Sequence, residues 1–306
     1  MMRILSNKDV SSSLNWDDVF AALSDAFLQK DEYFTPDRVV VSTSNDRSFL
    51  AMPCLSSEGY FGVKQVSVVP ENIGRGLPTV QSWYTLMDPK GRTILSAEAD
   101  FLTCIRTAAV SALAAYYLAY PRDSALLVIG TGALAPWMAE AHAHLRKYTR
   151  ILVWGRDGES AERTATEVRL RLPNVTVNTT ANLEWATRSV SVVTCATSAK
   201  EPVIRGAWLD PIHHVDIVGS FTPTMQEVDA DAVVGSDVVV DDRHAVQAEA
   251  GDLISAQSRG WKFAKIRADL AEVIKGDFVR GEKTTLFKSV GLAIEDLVLA
   301  LLLMGR

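Results

Sequence analysis

One strand-to-helix junction constrains this chain more than any other feature. Ser124-Ala125-Leu126-Leu127-Val128-Ile129 is an apolar run of strand character, and it leads directly into Gly130-Thr131-Gly132-Ala133-Leu134-Ala135 and a helical stretch. In a Gly-x-Gly-x-x-Ala turn the first glycine permits the tight reversal. The second lets a pyrophosphate approach the backbone at the helix N-terminus, and the alanine allows close helix–strand packing. Glycines mark many strand-to-helix turns, so the pattern takes its meaning from context. Here strand-like runs at 125–129, 151–154, 175–177, 190–195, 215–218 and 238–240 alternate with helical stretches. Such alternation specifies a doubly wound parallel sheet. We therefore expect a Rossmann-type dinucleotide site built on Gly130, Thr131, Gly132, Ala133 and Leu134.

The second strand of such a domain ends in the residue that discriminates between cofactors. Here 151–154 leads to Gly155-Arg156-Asp157. An acidic side chain at that tip holds a ribose diol, whereas an arginine suits a 2′-phosphate, which it binds bidentately. Arg156 therefore favours NADP(H) over NAD(H), with Asp157 one residue later as the opposing signal. Arg146, Lys147 and Arg150 precede the strand and read as a charge cluster at a helix C-terminus.

The first third of the chain has a different style. Val19, Phe20, Leu23 and Phe27 recur at helical spacing within 14–29, with Asn15 or Asp17 placed to cap the helix. Residues 36–95 read as β-strands separated by Pro, Gly and Asn, with a turn at Asp88-Pro89-Lys90-Gly91. This is an α+β unit. It is followed by an Ala-rich helix over 102–119, and the chain closes on a leucine-rich helix over 292–304 that needs a partner surface, in the first unit or on a second subunit.

Composition narrows the function. At 306 residues and 48% hydrophobic, the chain has core enough for two domains. Lys plus Arg number 31 against 37 Asp plus Glu, a balance of −6 without a basic block, which argues against nucleic acid as a partner. Cys54, Cys104 and Cys195 are too scattered for a disulfide scaffold or a zinc site. The five histidines lack ligand spacing, so we expect no metal, and there is no nucleophile elbow. The polar start and a late apolar run well below the ~20 residues of a membrane span lead us to expect a soluble, cytosolic protein with no membrane association.

Five ordered stretches carry a resemblance to a known family. They are Phe61-Gly62-Val63-Lys64 with Arg75-Gly76-Leu77-Pro78-Thr79-Val80-Gln81; Leu102-Thr103-Cys104-Ile105-Arg106-Thr107-Ala108-Ala109; Gly130 to Ala135; Ala196-Thr197-Ser198-Ala199-Lys200-Glu201-Pro202-Val203; and Thr285-Leu286-Phe287-Lys288-Ser289-Val290-Gly291-Leu292-Ala293-Ile294-Glu295-Asp296. In this order they resemble the ornithine cyclodeaminase/mu-crystallin family. The resemblance implies a split α+β substrate-binding and dimerisation domain, over 1–119 and 285–306, around a Rossmann domain over 120–284. It also implies a homodimer, and hydride exchange between a nicotinamide and the α-carbon of a small imino or amino acid.

That chemistry needs an anchored carboxylate, a placed nicotinamide and a proton source. Arg38, Lys64 and Arg106 are the candidate anchors, since a guanidinium meets a carboxylate with a planar fork and an ammonium adds a point charge. The resemblance implies substrate-carboxylate contacts for Arg38 and Lys64, and contact with both substrate and cofactor for Arg106. For the cofactor it adds Thr79, Thr107, Thr197, Val218, Gly219 and Ser289. The chain departs from the cyclodeaminases at Phe221, where they carry an aspartate that shuttles a proton. Phe221 disfavours ornithine cyclodeaminase activity and implies a more apolar substrate site. Lys64 is then the remaining proton donor, because a lysine desolvated beside arginines has a lowered pKa. The reading is an NADP-dependent imino-acid reductase or amino-acid dehydrogenase; a cyclodeaminase and a non-catalytic NADP(H)-binding protein are the alternatives.

Overall fold

A computed structural model describes residues 2–43, 47–121 and 124–306, without the side chains of residues 73 and 74. Met1 of the polar start and residues 44–46 of the β-rich stretch lie outside the described residues. The chain divides into two compact units, Met1–Arg106 with Leu292–Arg306, and Thr107–Gly291.

The first unit contains β1 (Arg3–Leu5), α1 (Asn7–Ser13), α2 (Trp16–Leu28), β2 (Tyr33–Phe34), β3 (Val39–Ser42), β4 (Ser48–Ser56), β5 (Phe61–Val68), β6 (Val80–Met87) and β7 (Thr93–Glu98). Among the described residues these strands form one sheet in the order β1-β7-β6-β5-β4-β2, with β3 beside β4. Asn15 caps α2 by accepting from the Asp18 amide. At the 88–91 turn, Asp88 accepts from the amides of Lys90 and Arg92, and Gly91 takes the left-handed conformation.

α3 (Asp100–Leu118) starts in this unit and runs into the second. Among the described helices it alone is long and apolar enough to cross a membrane. Residues 105–115 are nevertheless buried inside the protein, including Arg106 and Ser111, as befits a core helix.

The second unit carries β8 (Ala125–Ile129), α4 (Ala135–Leu145), β9 (Arg150–Trp154), α5 (Gly158–Arg171), β10 (Thr176–Thr179), α6 (Leu183–Arg188), β11 (Val192–Cys195), β12 (His214–Ile217), α7 (Ala230–Gly235), β13 (Asp237–Val240), α8 (Ala245–Glu249), α9 (Gly251–Ala256), β14 (Ala268–Asp269), α10 (Leu270–Lys275) and β15 (Thr285–Lys288). Its sheet is parallel throughout, in the order β10-β9-β8-β11-β12-β15-β13-β14. The centres of β8 and β9 are apolar, as befits strands covered on both faces, whereas β12 buries His214 and Asp216 beside Val215 and Ile217. This is the doubly wound Rossmann-type architecture, and strand order reverses between β8 and β11.

The resemblance implies that 285–288 belongs to the first domain. The structure places it inside the second sheet, where Leu286 pairs with Val215 on one side and Val238 on the other. Four residues are too few to show strand periodicity, and a strand inserted out of chain order leaves no local signal.

α11 (Ala293–Leu303) returns to the first unit. It buries Leu297, Leu299 and Leu303 against α2 and the strands β4 and β5. The leucine-rich tail thus finds its partner surface within its own chain.

Candidate active site

In the first unit the helix-covered face of the sheet carries a row of paired residues. Met52, Lys64 and Tyr84 lie opposite one another on β4, β5 and β6, and all three are buried. Lys64, which its strand position alone would let point outward, points inward and is 1% exposed. Its Nζ lies 3.0 Å from Asp296 Oδ1 and 2.8 Å from Asp296 Oδ2, in the first turn of α11. Arg106 Nη1 donates to Glu295 Oε2 at 2.8 Å, and its Nε lies 3.6 Å from Asp296 Oδ1.

Glu295 also accepts the Leu292 amide through Oε1, so one side chain caps α11 and pairs Arg106. The helix N-terminus favours both carboxylates. Burial pushes the Lys64 ammonium down, the neighbouring Arg106 adds to this, and Asp296 and Glu295 oppose it; the pKa falls to about 8.

Arg38 is half-buried in the segment just before β3. The next residue, Val39, pairs with Ala51, the neighbour of the Lys64 partner Met52. Thr79 is half-buried just before β6, and its carbonyl accepts from Val69.

In the second unit the glycine loop follows β8 at the point where strand order reverses, which is where open α/β sheets bind ligands. Gly130 has φ +126°, and a Cβ there would stand 2.4 Å from the Ala196 carbonyl oxygen. Only glycine fits, because the loops after β8 and β11 touch at this point. A Cβ on Gly132 would meet nothing within 4 Å. Gly132 and Ala133 are exposed, Thr131 and Leu134 are half-buried, and Ala135 is fully buried as the packing position. No side chain caps the start of α4, where the Ala135 amide donates to the Gly132 carbonyl and Pro136 follows. The tight turn at Gly130 and the open space at Gly132 fit a dinucleotide pyrophosphate.

At the end of β9, Arg156 is exposed and makes no ion pair among the described residues. Asp157 is committed elsewhere: its Oδ2 accepts from the amide and hydroxyl of Ser160 and caps α5. Arg146 donates to the carbonyls of Ala115 and Tyr120 at the end of α3, a helix C-terminus role.

Thr107 is buried in α3, one residue beyond Arg106. Thr197, Val218 and Gly219 follow β11 and β12. Their loops are tied by Glu227. Glu227 Oε1 accepts from the Thr197 amide at 2.7 Å and its hydroxyl at 3.0 Å, and Oε2 accepts from the Gly219 amide at 2.7 Å. Asp252 stands behind it, accepting from the amides of Glu227 and Val228, from the Ser220 hydroxyl, and pairing with Lys288 Nζ at 3.4 Å. All three charged side chains are buried. Burial, and secondarily Asp252, raise the Glu227 carboxyl to about 7, against the pull of Lys288.

Ser289 is likewise committed, donating to Asp241 Oδ2, which also accepts from the amides of Val290 and Gly291. Phe221 sits in the loop after β12 and is 41% exposed. Of the histidines, His144 faces solvent, whereas His142 is fully buried with Nε2 3.4 Å from Asp216 Oδ2 on β12. Cys195 is buried at the end of β11 and burial raises its thiol well above the ordinary value, so it is inert core.

Sequence reasoning missed Glu295 and Asp296 as partners of the cations. The available signal was an adjacent acidic pair opening a helix otherwise made of Leu, Ile, Val and Ala, since buried charges come paired. Asp252 and Lys288 gave no comparable signal.

This architecture is that of a Rossmann-type protein with a second α+β unit. The chain matches the ornithine cyclodeaminase/mu-crystallin family over residues 1–306, and it belongs to that family. It is 32% identical to a Delta(1)-pyrroline-2-carboxylate reductase of Bacillus thuringiensis, over 98% of this chain and 94% of that protein. It is 32% identical to the ketimine reductase mu-crystallin of Rattus norvegicus, over 87% of this chain and 82% of that one. In structure it is similar to the Delta(1)-pyrroline-2-carboxylate reductase of Thermococcus litoralis in complex with NADH and L-proline. The TM-score is 0.94 at 32% identity, covering 99% of this chain and 97% of that one. By this kinship the chain is an oxidoreductase.

Proposed function

We propose that the chain reduces a small imino acid, of the pyrroline-2-carboxylate or piperideine-2-carboxylate kind, with NADPH, and in reverse acts as an amino-acid dehydrogenase. One observation carries this reading: two buried cations, Lys64 and Arg106, held by two buried carboxylates, with the ammonium brought down to about 8. In this reading Arg38, Lys64 and Arg106 anchor the substrate carboxylate. Lys64 gives the proton to nitrogen, for which a donor poised near neutral pH is suited. When bound, the reduced nicotinamide supplies the hydride. Phe221 favours a reductase over a cyclodeaminase, because a phenyl ring neither takes nor gives a proton. The reductase relatives in Bacillus and rat support the same reaction class.

For the cofactor, Gly130, Thr131, Gly132, Ala133 and Leu134 would take the pyrophosphate, while Thr79, Thr107, Thr197, Val218, Gly219 and Ser289 would surround the rest. The last group acts in part through the backbone, since Glu227 and Asp241 already engage the hydroxyls of Thr197 and Ser289. The Thermococcus relative binds NADH. What supports NADPH here is the exposed Arg156 beside an Asp157 spent on a helix cap. Arg156→Gln is expected to weaken NADPH binding about tenfold and leave NADH binding unchanged.

A homodimer is supported by the outer face of the first sheet, where Ile4, Phe34, Phe49, Phe61 and Trp83 stand exposed. The three free cysteines support a cytoplasmic location.

The test is a titration with NADPH and NADH, followed by nicotinamide absorbance with pyrroline-2-carboxylate, piperideine-2-carboxylate, and pyruvate with ammonia. Oxidation of NADPH by a cyclic imine is expected. Ammonia release from ornithine with catalytic NAD would overturn the proposal. Tight NADPH binding with no turnover would favour a binding protein.

A further inference from the structure

We propose that Asp252 and Lys288 are positioning residues for substrate selection: they close Ser220 to Val228 into a loop of fixed shape and so hold Phe221 as a rigid wall that favours cyclic imino acids over small acyclic ones. The proposal rests on the reading that Phe221 borders the substrate, and it deepens that reading by naming the residues that keep the phenyl ring in place.

The loop leaves β12 after Ile217 and reaches α7 at Ala230. One carboxylate grips it at both ends. Asp252 Oδ1 accepts from the Glu227 amide at 2.6 Å and from the Val228 amide at 3.0 Å, and Oδ2 accepts from the Ser220 hydroxyl. Residues 220 and 228 are thereby held to the two oxygens of a single buried side chain.

Lys288 secures the Ser220 end from the neighbouring strand. It pairs with Ile217 across the sheet. Its Nζ donates to the carbonyls of Ile217 and Ser220 and to the Ser220 hydroxyl, with Asp252 Oδ2 at 3.4 Å. An ammonium has three donors, and each finds an acceptor in this loop or at its root. Ser220 is therefore bonded through both its hydroxyl and its carbonyl, one residue before Phe221.

The middle of the loop is held by shape. A Cβ on Gly251, the first residue of α9, would stand 2.1 Å from the Met225 carbonyl oxygen and 2.7 Å from that of Thr222. The loop backbone thus lies directly on the start of the helix that supplies Asp252. Ser220, Met225, Glu227 and Val228 are buried, whereas Phe221 is exposed and open to a ligand.

A wall discriminates by shape only if it cannot retreat. A loop with loose ends would let the phenyl ring swing away from a large ligand or follow a small one, and the difference in affinity would shrink. A clamped ring keeps its contact with the methylenes of a cyclic ligand, and a small acyclic ligand leaves that contact unmade.

The experiment measures a preference, the affinity for L-proline over that for L-alanine, by titration calorimetry at saturating NADPH. Both ligands are zwitterions with the same carboxylate, and they differ chiefly in the ring methylenes. Asp252→Asn keeps an oxygen for the Glu227 and Val228 amides but turns an NH2 toward the Ser220 hydroxyl, so it releases one end of the loop. The preference for L-proline is expected to fall about tenfold. Phe221→Ala is expected to lower it by a similar factor. Adding Asp252→Asn to Phe221→Ala is then expected to change it by no more than about twofold, because the clamp acts through the ring. Parallel loss of affinity for both ligands, as general loosening of the fold would give, overturns the proposal. So does a double variant in which the two losses multiply.

Ser220→Ala is the second arm. It removes the hydroxyl that both charges share and leaves Asp252 and Lys288 together, so no charge is buried alone. A fall of about threefold in the preference is expected. This variant decides the matter where Asp252→Asn does not fold, and an unchanged preference there overturns the clamp. Phe221→Ala separates the two levels of the argument. If it lowers the preference and neither clamp variant does, the proposal alone fails. If it leaves the preference unchanged, or if the wild type binds neither amino acid, the reading that Phe221 borders the substrate fails, and the proposal with it.

Discussion

Each unit buries a cluster of charges, and the clusters are wired differently. In the first unit Lys64 and Arg106 face Asp296 and Glu295, side chain to side chain, and most of the bonding is between opposite charges. In the second, Glu227 and Asp252 turn their oxygens mainly to backbone amides, those of Thr197, Gly219, Glu227 and Val228, with Lys288 as the buried cation. A side-chain ion pair exchanges partners when a ligand offers the same charge. A carboxylate bound to main-chain amides does not, because releasing it opens the loops. The first arrangement suits a site that trades charge with a small molecule. The second suits a frame that holds the ends of β11 and β12 at one spacing.

The sharpest way to break this comparison is Lys64→Met. If the ammonium gives the proton, kcat falls about 10²–10⁴-fold. If kcat holds and only KM rises, Lys64 is an anchor alone. The substitution also takes the ammonium from Asp296, which keeps Arg106 at 3.6 Å, at a cost of up to about 3–5 kcal/mol in stability. Thermal unfolding reads that cost separately from the kinetics.

Glu227→Gln probes the frame. The amide can accept at one position only, so one of the Thr197 or Gly219 amides loses its partner, at a cost of about 1–3 kcal/mol. The dissociation constant for NADPH is expected to rise about tenfold while KM for the imino acid stays within about twofold. Equal changes in both would mean that the network holds more than the cofactor loops.

The same residue has a pH signature of definite sign. Its folded pKa, about 7, lies above its ordinary value of 4.5, so between these values the folded chain holds the proton more tightly than the unfolded chain. Stability from this group is present at low pH and is lost as pH rises from 4.5 to 7. Calorimetry of wild type against Glu227→Gln should show the wild type losing its relative stability across that window.

The smallest expected effect is at His142, and it runs the other way. Burial lowers its pKa from 6.5 to about 4, so the unfolded chain takes the proton first on acidification. Wild type should lose about 2–4 °C in Tm relative to His142→Gln as pH falls from 6.5 to 4. A flat difference would mean that Asp216, 3.4 Å away, stabilises the imidazolium enough to cancel the burial.

Much of the frame was legible before any coordinates. The Gly130–Ala135 turn, the alternating strands after residue 124, the Asn15-capped helix and the 88–91 turn are all local features, stated in spacing, cap and turn residues. The candidate cations were legible as residue types. Their environment was not. Lys64 on a strand of mixed character reads equally well facing in or out. Arg156 and Asp157 are adjacent letters until the Ser160 bonds show that Asp157 caps a helix. Thr197 and Ser289 look like free hydroxyls until Glu227 and Asp241 are seen to hold them.

By itself, then, the sequence determined the class of the second unit and the position of its glycine turn, because glycine spacing and hydrophobic period act over a few neighbouring residues. Tertiary structure alone decided that 285–288 is a central strand, that Lys64 faces Asp296 across 232 positions of sequence, and that Arg106 meets Glu295 in the interior. Those outcomes depend on groups far apart in the chain reaching a common low-dielectric interior, where each charge must find an opposite one and no local pattern records which.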